Sequence, residues 1–219
     1  MPGINLAGLV APGRTALVTQ ECQGAVVGPN AGLADLADEA RREAVPNIVR
    51  LLPAARAAGV RVVHCLVRRR PDGLGSNHNA RLFTAARSIV DITPGSPGAA
   101  LLPELGPEPS DLVLARWHGL GPMGGTDLDA VLRNLGVTTI VATGVSVNVA
   151  ITNLVMDAVN LGYQVVVPRD AVAGIPADYA SAVIANTLSV LATVTTTDAL
   201  LDVWTAATGA ARLADAANT

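Results

Sequence analysis

Six short runs of apolar residues recur along the chain, separated by segments of helical spacing. They are TALVTQ (15–20), VRVVHCLV (60–67), DLVLA (111–115), TTIVAT (138–143), YQVVVP (163–168) and ATVTT (192–196). Their apolar residues run together instead of alternating with polar ones. That pattern belongs to strands covered on both faces, as in a parallel sheet between two helical layers. Residues 33–58 read as helix with an interruption near Pro46, which suits the first turn of a second helix because its missing N–H costs nothing there. Further helices are predicted over 79–87, 127–135, 148–161, 177–191 and 198–206, and Gly59 and Gly162 fit helix ends. The spacing therefore predicts a three-layer α/β/α fold with a six-stranded, mostly parallel sheet. One domain is expected over 15–206, with an N-terminal extension (1–14) and a flexible tail (207–219).

Bulk properties narrow the function. At 219 residues the chain suits a single core, and 50% hydrophobic against 15% charged residues excludes a disordered chain. The net charge of −3 and the lack of a basic face argue against nucleic acid as a partner. Arg68-Arg69-Arg70 is the one dense basic run, and it reads as a solvated loop. All fifteen basic side chains are Arg. Schiff-base and Walker-type lysine chemistry are thereby excluded. Cys22 and Cys65 lie in apolar runs and read as buried, reduced thiols, which suits a cytoplasmic protein. The segment MPGINLAGLVAPGR lacks a charged leader, and no run of 18 apolar residues occurs, so neither a signal peptide nor a membrane-spanning helix is expected.

In such sheets ligands bind beyond the C-terminal strand ends. Those ends carry Glu21, the 66–78 loop, Arg116 to Gly121, Gly144 to Asn148, and Arg169-Asp170. Arg116, on a strand end near Glu21, would favour the ionised carboxylate, a state that suits a general base better than a general acid. His118 lies two residues beyond Arg116, so an extended chain would point both to one side and turn Trp117 to the other. A histidine there is a candidate proton carrier. Asn77 and His78 sit in the Gly-rich GLGSNHN stretch, a candidate lid that could read a polar substrate. Phe83 and Trp117 are candidate pocket walls in a chain with five aromatic residues. Ser146 and Asn148 sit in the turn before the 148–161 helix, whose N-terminus favours an anion. His64 is expected in the core or a subunit interface. His64, His78 and His118 lack metal-ligand spacing, so no metal is expected. No cofactor is expected either.

The strand-end motifs TALVTQECQG and GTDLDAVLRNLGVTTIVATGVSVNVAITNLVMDAVNLGYQVVVPRDAVAG resemble those of the isochorismatase-like (cysteine hydrolase) superfamily, over about residues 15 to 200. The resemblance implies a triad of Asp, Lys and Cys. Glu21 stands at the matching Asp position, Arg116 at the Lys and Ala150 at the Cys. Alanine has no sulfur to acylate, so thioester-based amidase chemistry at this position is excluded. The family's vinyl-ether-cleaving branch also lacks the Cys but keeps the Asp and Lys. The resemblance further implies a cis peptide at Val145–Ser146, which would aim backbone N–H groups at an oxyanion, and a homo-oligomer, dimer or tetramer. The leading reading is a hydrolase or lyase acting on a small polar or anionic metabolite, with Glu21 activating water, Arg116 holding an anion and His118 moving a proton. The alternatives are a catalytically inactive binding or scaffold protein, and a vinyl-ether hydrolase with Glu21 as acid.

Overall fold

A computed structural model describes residues 5–89 and 91–217. In chain order the elements are α1 (Leu6–Leu9), β1 (Thr15–Gln20), α2 (Gly24–Val27), α3 (Ala34–Arg42), α4 (Ala44–Ala58), β2 (Arg61–Val67), α5 (Arg81–Ile89), β3 (Leu112–Arg116), α6 (Leu128–Asn134), β4 (Thr139–Val145), α7 (Thr152–Asn160), β5 (Gln164–Pro168), β6 (Val172–Ala173), α8 (Ala177–Asn186), β7 (Thr193–Thr195) and α9 (Thr197–Ala217). The strands form one sheet in the order β3-β2-β1-β4-β5-β7, with β6 paired to the end of β4. Every pairing is parallel. Strand order reverses between β1 and β4, and the crevice at such a reversal is where open parallel sheets bind ligands.

The side-chain alternation of each strand divides the core in two. Leu17, Val62, Val141 and Val166 face one side, where Ile48, Leu51 and Leu52 of α4 and Leu200 and Trp204 of α9 cover them. Val18, Val63, Ile140, Val165 and Val167 face the other, under Leu128 and Leu132 of α6 and Leu154 and Val155 of α7. Each such large apolar side chain contributes roughly 1.5–3 kcal/mol by leaving water. Trp204 Nε1 donates to Val10 O at 3.2 Å, so the N-terminal extension is fastened to the last helix.

The structure departs from the sequence reading in three places. The two-residue β6 makes the sheet seven-stranded. It is too short to leave a sequence pattern. The central helix does not begin as α-helix at 148. Val147–Ile151 is wound as a π-helical turn, with Ile151 N donating to Ser146 O at 2.9 Å. The last helix passes residue 206 and Gly209 and continues to Ala217, where a flexible tail was expected. The alanine-rich surroundings outweigh the roughly 1 kcal/mol that one glycine costs a helix. Residues 218–219 of that tail and residues 1–4 of the extension lie outside the described residues.

Two buried polar arrangements hold the strand ends in register. Gln23, just past β1, accepts from Val67 N at 2.7 Å and donates to Val67 O and Gly98 O, each at 3.0 Å. It thus ties β1 to the end of β2 and to the 97–99 turn. Deeper in the sheet, His64 Nδ1 accepts from the Thr19 hydroxyl at 2.8 Å and Nε2–H donates to Asp111 at 3.3 Å. Arg56 of α4 grips the same Asp111 in bidentate fashion at 2.7 and 3.1 Å. Burial pushes the His64 imidazole below its ordinary value; the hydrogen bond and charge of Asp111 work against this, and the Arg56 charge works with it. Burial opposes ionisation of Asp111, but Arg56, the Glu108 N–H and His64 outweigh it and hold the carboxyl below its usual range.

His64 is therefore neutral in the fold, whereas an unfolded histidine takes up a proton near pH ~6.5. Below that pH the unfolded state binds more protons, so stability should fall as pH drops through about 6.5. Asp111 titrates only in a more acidic range, which keeps the two effects apart. Thermal unfolding followed from pH 8 to pH 5 should show the midpoint falling in wild type and flattening in His64→Gln; equal slopes would refute this origin. Gln23→Ala should lower stability by about 1–3 kcal/mol, because it strands buried backbone groups of Val67 and Gly98. Urea unfolding measures this, and a neutral result would show that Gln23 is not the tie between the strands.

Candidate active site at the strand reversal

The site begins with a close approach of two strand ends. Gln20 pairs with Gly144 in the β1–β4 register. Gly144 has φ 105°, and a Cβ there would come within 2.2 Å of Gln20 O. Only glycine lets β4 pass β1 this closely and then turn. The next peptide bond, Val145–Ser146, is cis. On the other side of the crevice Glu21 takes φ 55°, the one non-glycine residue with positive φ among the described residues. A left-handed conformation costs a non-glycine residue roughly 1–2 kcal/mol, and such residues concentrate where side-chain aim matters.

Glu21 Oε1 accepts from Arg116 Nη2 and, at 3.1 Å, from Gln20 Nε2. Arg116, at the end of β3 and only 4% exposed, also donates from Nε to Gly119 O at 3.2 Å. Its Nη1 is buried with no partner. This ion pair therefore spans the end of β2 to join the ends of β1 and β3.

Glu21, Arg116, Trp117, His118, Asn77, Phe83, Ser146 and Ala150 all line a single cavity of about 190 Å³. Asn77 Oδ1 accepts from Gly119 N at 2.8 Å, which fastens the GLGSNHN loop over the β3 exit. Most of the remaining wall is apolar: Val26, Leu36, Leu82, Ile92, Leu120 and Val149 face the same space. Trp117 was expected as a pocket wall, although strand alternation would have turned it away from Arg116 and His118. It borders the cavity and is 43% exposed, because β3 ends at Arg116 and strand alternation no longer governs the residues after it.

Three sequence candidates do not line the cavity. Val145 is buried in the core layer that holds Leu17 and Val141. Asn148 donates to Ile175 O at 3.2 Å and braces the turn against the segment after β6. His78 borders a separate surface depression with Asn79, Ala80 and Thr84. The cavity instead gains Arg68 and Arg69, read from the sequence as a solvated loop. Their place immediately after β2, at a strand end, was the signal that could have found them. Arg70 fits the solvated reading, since it pairs with Asp72 at the surface.

No cysteine borders the cavity. Cys22 and Cys65 are buried in the two core layers. Burial pushes each thiol up to about 12; the Glu21 charge adds to this for Cys22, and Arg116 opposes it for Cys65. Neither is a thiolate near neutral pH. Among the described residues no three His, Cys, Asp or Glu side chains cluster as a metal site would need, and no helix is long and apolar enough to cross a membrane.

Comparison with known proteins agrees with this architecture. Residues 15–199 match the isochorismatase domain. The ureidoacrylate amidohydrolase RutB of Methylorubrum extorquens is 33% identical over 180 residues, 74% of this chain and 72% of that protein. The crystal structure of a cysteine hydrolase from Pseudomonas syringae pv. phaseolicola superposes with a TM-score of 0.81 at 27% identity, covering 91% of this chain and 96% of that one. An isochorismatase family protein from Desulfovibrio vulgaris gives 0.74 at 29% identity, with coverage of 86% and 97%. With a parallel sheet reversing at β1 and β4 and a domain match over most of its length, the chain belongs to the isochorismatase family.

Proposed function

We propose that this protein is a hydrolase of small anionic molecules whose nucleophile is water. The observation that carries the reading is the convergence of Glu21, Arg116 and His118, from two strand ends, on one cavity beside Ala150. Ala150 brings no nucleophile, and its small methyl leaves room at the helix entrance. Arg116 and Gln20 both bind Oε1 of Glu21, which leaves Oε2 to accept a proton from water. The water oxygen attacks the substrate carbon, Glu21 takes its proton, and His118 protonates the departing group. Backbone N–H groups of the turn after Val145–Ser146 would meet the developing oxyanion. Arg116 steadies Glu21 through one nitrogen and turns another, Nη1, to the substrate anion. The name ureidoacrylate amidohydrolase, borne by a relative, makes linear amides and ureido compounds the first class to screen.

A second reading is a binding protein without turnover. It draws support from the same ion pair, which occupies Glu21, and from the methyl of Ala150 at the helix entrance. Vinyl-ether cleavage with Glu21 as acid ranks below both, since Arg116 and Gln20 both donate to Glu21 Oε1, an arrangement that suits a hydrogen-bond acceptor better than a proton donor. Loss of a general base costs about 10²–10⁴ in rate. In the screen, Glu21→Gln should lose at least a hundredfold in kcat while keeping its fold. Unchanged turnover in that variant would remove Glu21 from the mechanism. Tight binding with no turnover by wild type would favour the binding protein, and a rate that rises steadily toward acid pH would favour the vinyl-ether reaction.

A further inference from the structure

Two guanidinium nitrogens in the cavity region are buried with no protein partner: Nη1 of Arg116 and Nε of Arg68. They belong to neighbouring strand ends. Val67 pairs with Arg116 in the β2–β3 register, and Arg68 N donates to Arg116 O at 2.8 Å. Both side chains line the same cavity, and so does Arg69. Glu21 is the one carboxylate on that wall. The lining carries three arginines against one carboxylate. A buried N–H without an acceptor is costly, more so on a charged group, unless a ligand atom accepts from it. Two such donors on adjacent strand ends suit the two oxygens of one planar anion. Most of the rest of the wall is apolar, Val26, Leu36, Leu82, Phe83 and Ile92 among it.

We infer that Arg68 is a substrate-binding residue which, with Nη1 of Arg116, holds the carboxylate of a small molecule whose remaining body is apolar. This rests on the cavity being the substrate site, as proposed above, and adds what kind of molecule enters it. A strongly hydrated dianion such as phosphate fits poorly, because most of the cavity wall offers it no donors. The single Glu21 carboxylate would also repel a second negative charge. Arg68 acts in binding and takes no part in proton transfer.

Calorimetric titration tests this without any turnover. The probes are benzoate and hexanoate, their uncharged counterparts benzyl alcohol and hexanol, and inorganic phosphate, each against wild type, Arg68→Gln, Arg68→Lys and Glu21→Gln. Benzoate or hexanoate should bind wild type at least tenfold more tightly than the matching alcohol and than phosphate. Arg68→Gln should weaken the carboxylates by roughly 10- to 100-fold and leave the alcohols unchanged. Arg68→Lys, which keeps the charge without the planar fork, should fall between them. Thermal unfolding midpoints near wild type confirm that the variants are folded. Glu21→Gln should bind the carboxylates at least as well as wild type, because a like charge is gone. The two proposals fail separately: carboxylate binding that depends on Arg68, in a wild-type protein that turns nothing over, upholds this inference and overturns the hydrolase reading. Equal affinity for acid and alcohol, tighter binding of phosphate, or carboxylate binding untouched by Arg68→Gln would each overturn the inference.

Discussion

The pairing of β1 with β4 at Gln20 and Gly144 is the constraint from which the site follows. These strands run side by side at the one place where the sheet changes direction, and the crevice beyond them opens because successive elements diverge there. Close passage requires that residue 144 have no side chain, since a Cβ would meet the carbonyl of Gln20. Once the backbones are that near, the residues immediately after them face each other across a short gap. Glu21 enters it from one side in a left-handed conformation, and the Val145–Ser146 turn enters from the other. The strain at Glu21 is carried by bonds around it. Its own N–H donates to Cys65 O at 2.8 Å, its carboxylate is held by Gln20 and Arg116, and Gln23 fastens the next turn to β2.

Charge is then placed against low-dielectric walls. Arg116 is buried at an edge strand, and its partners are few: Glu21, the carbonyl of Gly119 and whatever fills the cavity. A guanidinium so enclosed interacts more strongly with a ligand anion than a surface arginine would, because little water screens it. The same enclosure would make an arginine without a counter-charge costly, which accounts for Glu21 and Arg116 lying together. The ion pair positions the carboxylate and also limits it. One oxygen is committed to protein donors, so any chemistry by Glu21 falls to the other.

Much of this was legible in the sequence, for identifiable reasons. All six predicted strands appear, with boundaries exact or shifted by a residue or two, because continuous apolar runs between helices have few other ways to be buried. That Glu21, Arg116 and His118 border one cavity could be read ahead because strand ends of a parallel sheet converge, whatever the side chains are. The misses have a common cause. Asn148 lies in the π-helical turn of residues 147–151, whose winding decides which side chains face the cavity and which no residue type announces, while Val145 ends β4 with its side chain in the core layer. His78 depended on where the loop stops being extended. Arg68 and Arg69 were misjudged because three adjacent arginines were weighed as one run, while the fold divides them: two border the cavity and the third pairs at the surface.

Ala150 shows how little a single position decides here. A thiol at a helix entrance acts by being deprotonated, and that requires positive surroundings. Those surroundings remain in this chain, in the helix N-terminus and in the three arginines on the cavity wall. An environment that favours a thiolate favours other anions equally, whether a substrate carboxylate or the oxyanion formed when water adds to a carbonyl. A site with alanine at the helix entrance has no thiol there for covalent attack, yet it keeps this electrostatic character. Water would be the weaker nucleophile, so a reaction run this way depends on how well the substrate is held against Glu21. That places the burden on the side chains that would grip its charged end, the role proposed for Arg68 and Arg116.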